Sequence, residues 1–252
     1  MNSREENRQC AGKADLRHFT IKTAGLTIAI ETLSPGTYGY CIRYLSEGSP
    51  DICVSITEED IQREIQDSKN RSEVINKQYL ETIAVYRKIA EKALCFDTIL
   101  MHGSVIAVDG RAYMFSAPSG TGKTTHIRKW LEKDSTAFVV NGDKPLIRIT
   151  DTEAIACGTP WCGKERMGTN TMVPLRGIAF MERSEDNSIE EISFKQAIPF
   201  LIQQIHCPKD SNLMMQTLSL LDRLKGKVRF FRFRCNNFKE DCFRVSHDGL
   251  CG

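Results

Sequence analysis

The spacing of apolar and polar positions changes several times along the chain, and each change predicts an element. FTIKTAGLTIAIETL, from Phe19 to Leu33, has the β-branched richness of two strands, with Gly25 at the turn between them. GTYGYCIRYL and DICVSI read as further strands, parted by the turn SEGSPD. Thr57 ahead of Glu58, Glu59 and Asp60 marks a helix start, because a hydroxyl can cap the first turn and acidic residues there suit the helix dipole. From Ser72 to Leu94, the residues Ile75, Tyr79, Ile83, Tyr86, Ile89 and Ala90 recur at helical spacing. This predicts an amphipathic helix that lies against the sheet that follows and carries no chemistry.

After Phe96 the pattern turns to short, nearly continuous apolar runs. VIAV and AYMF are joined by Asp109-Gly110, a strong hairpin signal because both turn positions favour positive φ. A helix with Ile127, Trp130 and Leu131 on one face is expected next. AFVVN, PLIRI, EAIACGT, GIAFMER and KVRFFRFR read as strands, and Ser193 is placed to cap a helix through FKQAIPFLIQQIH. No repeat or low-complexity linker interrupts the chain. The expected organisation is an α/β fold, with a small β-rich N-terminal unit over residues 1–70 and a core over residues 71–252.

Composition narrows the function classes. Lys and Arg number 34 against 32 Asp and Glu, and a net charge of +2 gives no general case for nucleic acid or an anionic membrane as partner. No apolar run approaches the roughly 20 residues that cross a bilayer. The opening MNSREENRQCAGKADLR is charged and lacks the apolar stretch of a signal peptide, so a cytoplasmic location is expected. The ten cysteines are scattered without a C-x-x-C pair and are read as reduced thiols. Cys235, Cys242, His247 and Cys251 share the tail, but their irregular spacing argues against a metal knuckle.

The chemistry points to one stretch, SAPSGTGKTTH, Ser116 to His126. It matches G-x-x-x-x-G-K-[ST] except that Ala117 holds the place of the first glycine. Ser119, Gly120, Thr121 and Gly122 are small or flexible, so successive backbone N–H groups can turn inward on an anion, with the N-terminus of the next helix behind them. Positive φ is expected at Gly120 and Gly122 rather than at Ala117. Lys123, Thr124 and Thr125 follow, and Asp143 ends an apolar strand twenty positions after Lys123, where a magnesium-binding carboxylate is expected. Cys162 has no His near it in sequence and is not read as a nucleophile.

With those residues in view, LMHGSVIAVDGRAYMFSAPSGTGKTT and VVNGDKPLI resemble the HPr kinase/phosphoenolpyruvate carboxykinase superfamily. There a His-Gly pair precedes a hairpin whose second arm enters the phosphate loop. GTPWCGKERMGTNTMVPLRGIAFMERSEDNSI is similar to bacterial relatives of HPr kinase, and the resemblance runs from about Ile99 to Gln204. It implies a P-loop-containing, HPr kinase-like mixed-sheet core that uses ATP and Mg²⁺ to phosphorylate a hydroxyl, a serine of a small protein or peptide. It implies Ser119, Gly120, Thr121, Gly122, Lys123, Thr124 and Thr125 for the nucleotide, Thr124 and Asp143 for the metal, Asp143 for metal or base, and His102 beside the transferring phosphate. Lys164 and Arg166, in PWCGKERMGTN, are candidates for stabilising transition-state charge, and a homo-oligomer accords with such relatives. The superfamily shows two adjacent acidic residues where this chain has Gly142-Asp143. That departure keeps a second reading open, a catalytically weakened nucleotide-binding regulatory protein. A carboxykinase is the remaining alternative, though the substrate-binding regions of those enzymes have no counterpart here.

Overall fold

A computed structural model describes residues 16–69 and 76–252. The N-terminal part forms a three-stranded sheet in which β1 (His18–Thr23) and β2 (Leu26–Glu31) pair antiparallel, and β2 and β3 (Ile52–Ser55) pair parallel. Between β2 and β3 the chain is helical, not extended. A 3-10 turn at Pro35–Thr37, the short α1 (Tyr38–Cys41) and a second 3-10 turn at Ile42–Tyr44 replace the strand expected of GTYGYCIRYL. The buried residues explain this: Thr37, Cys41 and Tyr44 fall four and three apart, and Pro35 enters at the first helical position.

α2 (Glu58–Lys69) begins where expected. The Thr57 backbone N–H donates to Asp60 Oδ2 at 2.9 Å, and the Asp60 N–H donates back to Thr57 Oγ1 at 3.4 Å, a reciprocal cap. α3 (Lys77–Ala93) is capped by Asn76; Ile75 and the start of the expected helix lie outside the described residues. Its buried face is rotated from the expected one. Leu80, Ala84, Val85, Ile89, Ala90 and Ala93 are buried, whereas Tyr79 is 47% exposed. The helix faces two partners: Ala84, Val85, Ile89 and Ala93 pack on the small sheet, and Ala90 packs with Leu100 and Leu146 of the large one. Packing on both sides widens the buried stripe and shifts its centre.

Among the described residues the large sheet has nine strands. β4 (Thr98–Leu100), β8 (Leu146–Ile149) and β9 (Ala154–Cys157) lead to β10 (Met172–Arg183), and β6 (Arg111–Ser116), β5 (Ser104–Val108) and β7 (Phe138–Asn141) follow beyond it. β10 is the pivot. Its first residues pair antiparallel with β9, while its second half lies parallel between β6 and β12 (Arg229–Cys235), which in turn carries β11 (Ser188–Ile192). The hairpin is as expected, with Asp109 at φ 49° and Gly110 at φ 72°.

The continuous apolar runs are explained by burial on both faces. Val105, Ala107, Met114, Ile178 and Phe180 face a core covered by α5 (Phe194–Gln204) and α6 (Ser211–Asp222). The alternate positions Ile106, Val108, Tyr113, Phe115, Ala179 and Met181 face a second core with α4 (Lys123–Lys133) and α7 (Cys242–Cys251). Ser193 caps α5 in a capping box with Gln196, as its position predicts. α6 and α7 are not among the elements that the apolar pattern predicts. Among the described residues no helix is long and apolar enough to cross a membrane.

Candidate functional site

β6 ends at Ser116, and the chain turns through Ala117–Gly122 into α4. Gly120 (φ 80°) and Gly122 (φ 112°) take the left-handed conformations of this turn, as expected, and Ala117 has no positive φ. Ala117 is buried in the core shared with Phe115 and Ile127. Its methyl group is a packing element at a position that makes no demand for glycine. Ser119 and Gly120 are exposed, Thr124 is half-buried and Thr125 is exposed at the first turn of α4. The Lys123 ammonium folds back over the loop and donates to the carbonyls of Ala117 (2.7 Å) and Pro118 (3.2 Å). Burial lowers the Lys123 pKa, and the nearby Asp143 carboxylate opposes that shift.

The acidic side of the site comes from β7 and the β4–β5 turn. Asn141 fixes the corner: its Oδ1 accepts from the backbone N–H groups of Asp143 (2.9 Å) and Lys144 (2.8 Å), and its Nδ2 donates to Thr159 Oγ1 (2.9 Å). Gly103 N–H donates to the Asp143 carbonyl at 2.9 Å, and Ser104 Oγ donates to the Gly142 carbonyl at 2.8 Å. The Asp143 carboxylate then meets His102 Nε2 at 3.2 Å and Lys144 Nζ at 3.7 Å. Burial alone would raise the Asp143 pKa; the hydrogen bond from His102 and the charges of Lys144 and Lys123 prevail and hold it below its ordinary value. Lys123 and Asp143 each act on the other's titration, so the loop lysine and the carboxylate feel each other's charge.

His102 is oriented from behind. Its backbone N–H donates to the Gln204 carbonyl at 2.7 Å, and Nδ1 lies 3.0 Å from Gln204 Oε1. Gln204 can present either end of its amide to Nδ1, so the imidazole proton can sit on either nitrogen. With it on Nε2, His102 donates to Asp143. Ser116 Oγ donates to the His102 carbonyl at 2.8 Å, which ties this turn to the entrance of the Gly-rich loop.

The strap from Trp161 to Asn170 crosses the site. Trp161 is buried in the small sheet's core, and Glu165 pairs with Arg128 of α4 at 2.6 Å. A Cβ at Gly142 would lie 2.7 Å from the Cys162 carbonyl and 3.0 Å from that of Met167. The space for a second acidic side chain is therefore filled by backbone. Lys164 is exposed, and the Arg166 guanidinium lies over the Tyr40 ring, 5.1 Å from its centroid. The Arg166 carbonyl accepts from Arg43 at 3.3 Å. The two charges thus extend toward solvent and toward the N-terminal unit. Burial raises the Cys162 thiol, which agrees with an inert cysteine.

Three residues at the site were not singled out in sequence. Gln204 orients His102, the Arg183 guanidinium donates to the Gly120 carbonyl, and Asn237 Nδ2 donates to the Gly122 carbonyl at 3.1 Å. Each acts on the site from a distant strand end or helix end, and no local motif marks it.

No family model matches the chain. No curated protein matches it either. Among solved structures it is similar to the Hpr(Ser) kinase/phosphatase from Coxiella burnetii, with 12% identity and a TM-score of 0.29, over 50% of this chain and 90% of that one. So slight a likeness supports no functional conclusion.

Proposed function

We propose that the chain binds Mg·ATP at the Gly-rich loop and transfers the γ-phosphoryl group to a hydroxyl, a serine of a small protein or peptide. The observation that carries this reading is the convergence of a buried lysine, a left-handed glycine loop at a helix N-terminus, and a carboxylate hydrogen-bonded to a histidine. The residues present suit the nucleotide and its ion. Two glycines with positive φ and the first N–H groups of α4 can turn on phosphate oxygens, and Lys123 can exchange two loop carbonyls for them. Thr124 and Asp143 are the candidate magnesium ligands, hard oxygen donors of the kind that ion prefers. When bound, Mg²⁺ neutralises charge on the phosphate oxygens.

In this reading His102 and Asp143 divide the remaining work. His102 Nε2 faces the Asp143 carboxylate at 3.2 Å and is the candidate group beside the transferring phosphate, while Asp143 serves the metal or takes the hydroxyl proton. Gln204 fixes the ring from the far side. The N-terminal unit over residues 1–70 is the proposed acceptor-recognition part, because Tyr40 and Arg43 contact Arg166 of the strap beside Asp143.

Gly142 favours a second reading, a nucleotide-binding regulatory protein, since backbone fills the place of the second carboxylate. One experiment separates the two. Wild type and Asp143→Asn are incubated with γ-labelled ATP, Mg²⁺ and a library of serine peptides, and nucleotide binding is measured in parallel. The kinase reading expects transfer by wild type and its loss in Asp143→Asn, with binding kept within a few-fold. Binding without transfer to any acceptor by wild type would leave the regulatory reading.

A further inference from the structure

Where α4, β12 and α7 meet beside the Gly-rich loop, three metal-ligating side chains converge. They are His126 of α4, Cys235 at the end of β12 and Cys242 at the start of α7, with donor atoms all within 4.8 Å of one another. His126 and Cys242 are 0% exposed and Cys235 is 6% exposed. Cys242 Sγ lies 3.4 Å from His126 Nδ1 and 3.0 Å from Cys235 Sγ. Asn237 adds a fourth donor, with Oδ1 3.2 Å from Cys235 Sγ and 3.4 Å from Cys242 Sγ.

We infer that His126, Cys235 and Cys242, with Asn237 Oδ1 completing a tetrahedron, form a structural site for a zinc-class divalent ion. Three features support it. The first is the imidazole's orientation. Nδ1 faces Cys242 Sγ, while Nε2 lies 3.0 Å from Ser246 Oγ and 3.1 Å from Trp130 Nε1, whose N–H also reaches Ser246 Oγ at 3.1 Å. The ring is thus held at its far nitrogen with Nδ1 turned to the sulfurs, the arrangement of a histidine that ligates metal through one nitrogen while outer partners orient the other. The second is charge. Two thiolates cancel a divalent ion, and a neutral imidazole and an amide add none, so a fully buried site carries no net charge. Binding releases the thiol protons to solvent.

The third feature is spacing. Zinc bonds of about 2.3 Å to sulfur and 2.0–2.1 Å to nitrogen put tetrahedral S···N near ~3.6 Å and S···S near ~3.8 Å. The His126–Cys242 separation already fits, and Cys235 has to withdraw by about 0.8 Å. Soft sulfur donors disfavour magnesium and calcium, which take oxygen. This set differs from the one that the tail alone suggests. His247 lies beside the Trp130 ring, with centroids 5.5 Å apart, and Cys251 lies at Tyr113. The missing ligand was His126, more than a hundred residues upstream of the cysteines. The site also reaches the Gly-rich loop, because the amide of Asn237 that offers Oδ1 to the ion donates through Nδ2 to the carbonyl of Gly122, the residue before α4.

The test is metal content and cobalt substitution of the full chain purified under reducing conditions. The expected result is one equivalent of bound zinc. Co²⁺ should give a thiolate charge-transfer band and tetrahedral visible bands, and the metal should protect two thiols from titration. Cys242→Ser and Cys235→Ser should weaken Co²⁺ binding by more than the roughly 10–100-fold that outer partners of a metal site carry. Cys251→Ser should leave it unchanged. Wild-type protein that binds no Co²⁺ tetrahedrally would overturn the inference whether or not the variants fold. So would a Cys235–Cys242 disulfide in protein prepared without reductant, together with no metal uptake after reduction.

Discussion

Gly142→Ala adds one methyl group where the structure leaves no room for it. The added Cβ would stand 2.7 Å from the Cys162 carbonyl and 3.0 Å from the Met167 carbonyl, and both obstacles are backbone. Backbone cannot rotate away as a side-chain end can, so the strap or the Asn141–Lys144 corner has to shift. That corner is held by Asn141 Oδ1, by Ser104 Oγ on the Gly142 carbonyl and by Thr169 N–H on the Val140 carbonyl, so the shift strains several hydrogen bonds together. Overpacking of this kind costs about 1–3 kcal/mol. At about 2–4 °C per kcal/mol for a chain of this size, the melting temperature should fall by roughly 2–12 °C. Gly39→Ala is the control: Gly39 is exposed within α1, has open space around it, and should gain about 0.4–1 kcal/mol. Thermal melts and urea titrations of the three proteins decide the matter. Gly142→Ala as stable as wild type would mean that the strap does not fill this space. The explanation for the single carboxylate would then fail. On the same reasoning Gly142→Asp should destabilise the chain at least as much and should not raise activity.

Other predictions follow from groups whose partners are known. Glu81 is 2% exposed and accepts from the Leu33 N–H (2.5 Å), the Ser34 N–H (3.1 Å) and the Ser34 hydroxyl, so Glu81→Ala strands these donors and should cost about 3 kcal/mol by urea titration. A change under about 0.5 kcal/mol would refute that role. Burial raises the Asp60 carboxyl, but hydrogen bonds from Lys88 and Thr57 and the Lys88 charge outweigh it and leave Asp60, like Asp143, below its ordinary pKa. The folded state holds these protons more weakly than the unfolded chain, so the stability they give is full above the ordinary Asp pKa of about 3.9 and is lost as pH falls below it. The urea midpoint should drop on the acid side, and Asp60→Asn should flatten that drop; an unchanged acid limb in the variant would contradict the assignment. Lys123 is shifted the other way: burial lowers its pKa, and phosphate contact should raise it again, so nucleotide binding at alkaline pH should take up protons. Calorimetry in two buffers of different ionisation enthalpy measures this uptake, which should vanish in Lys123→Ala.

Much of the core could be read from the chain because local chemistry and tertiary context agree there. Asp109-Gly110 demands a hairpin turn, Gly120 and Gly122 demand left-handed backbone, and Ser193 with Gln196 closes a cap. Sequence pattern and structure part where a second partner changes the buried face. Tyr38, Tyr40 and Ile42 suggest a strand by composition, but the residues that contact the core lie at helical spacing. In α3 the predicted stripe assumed one covering sheet, and the helix has two. The site divides in the same way. Lys123, His102 and Asp143 sit in or beside recognisable motifs. Gln204, Arg183, Asn237 and the pairing of His126 with two tail cysteines depend on which strand ends meet, which no local spacing encodes. Arg166 shows the converse: it lies within a suggestive loop, yet its side chain rests on Tyr40.

Whether the Gly-rich loop with Lys123 receives the phosphates of a nucleotide, as proposed, is read from the melting temperature of wild type and Lys123→Ala with increasing Mg·ATP. A ligand at about 100 times its Kd stabilises the folded state by about 2.7 kcal/mol, or roughly 5–11 °C here. If the loop receives the phosphates, wild type shows that rise and Lys123→Ala loses it. An equal rise in both proteins, or none in wild type at millimolar nucleotide, would contradict it.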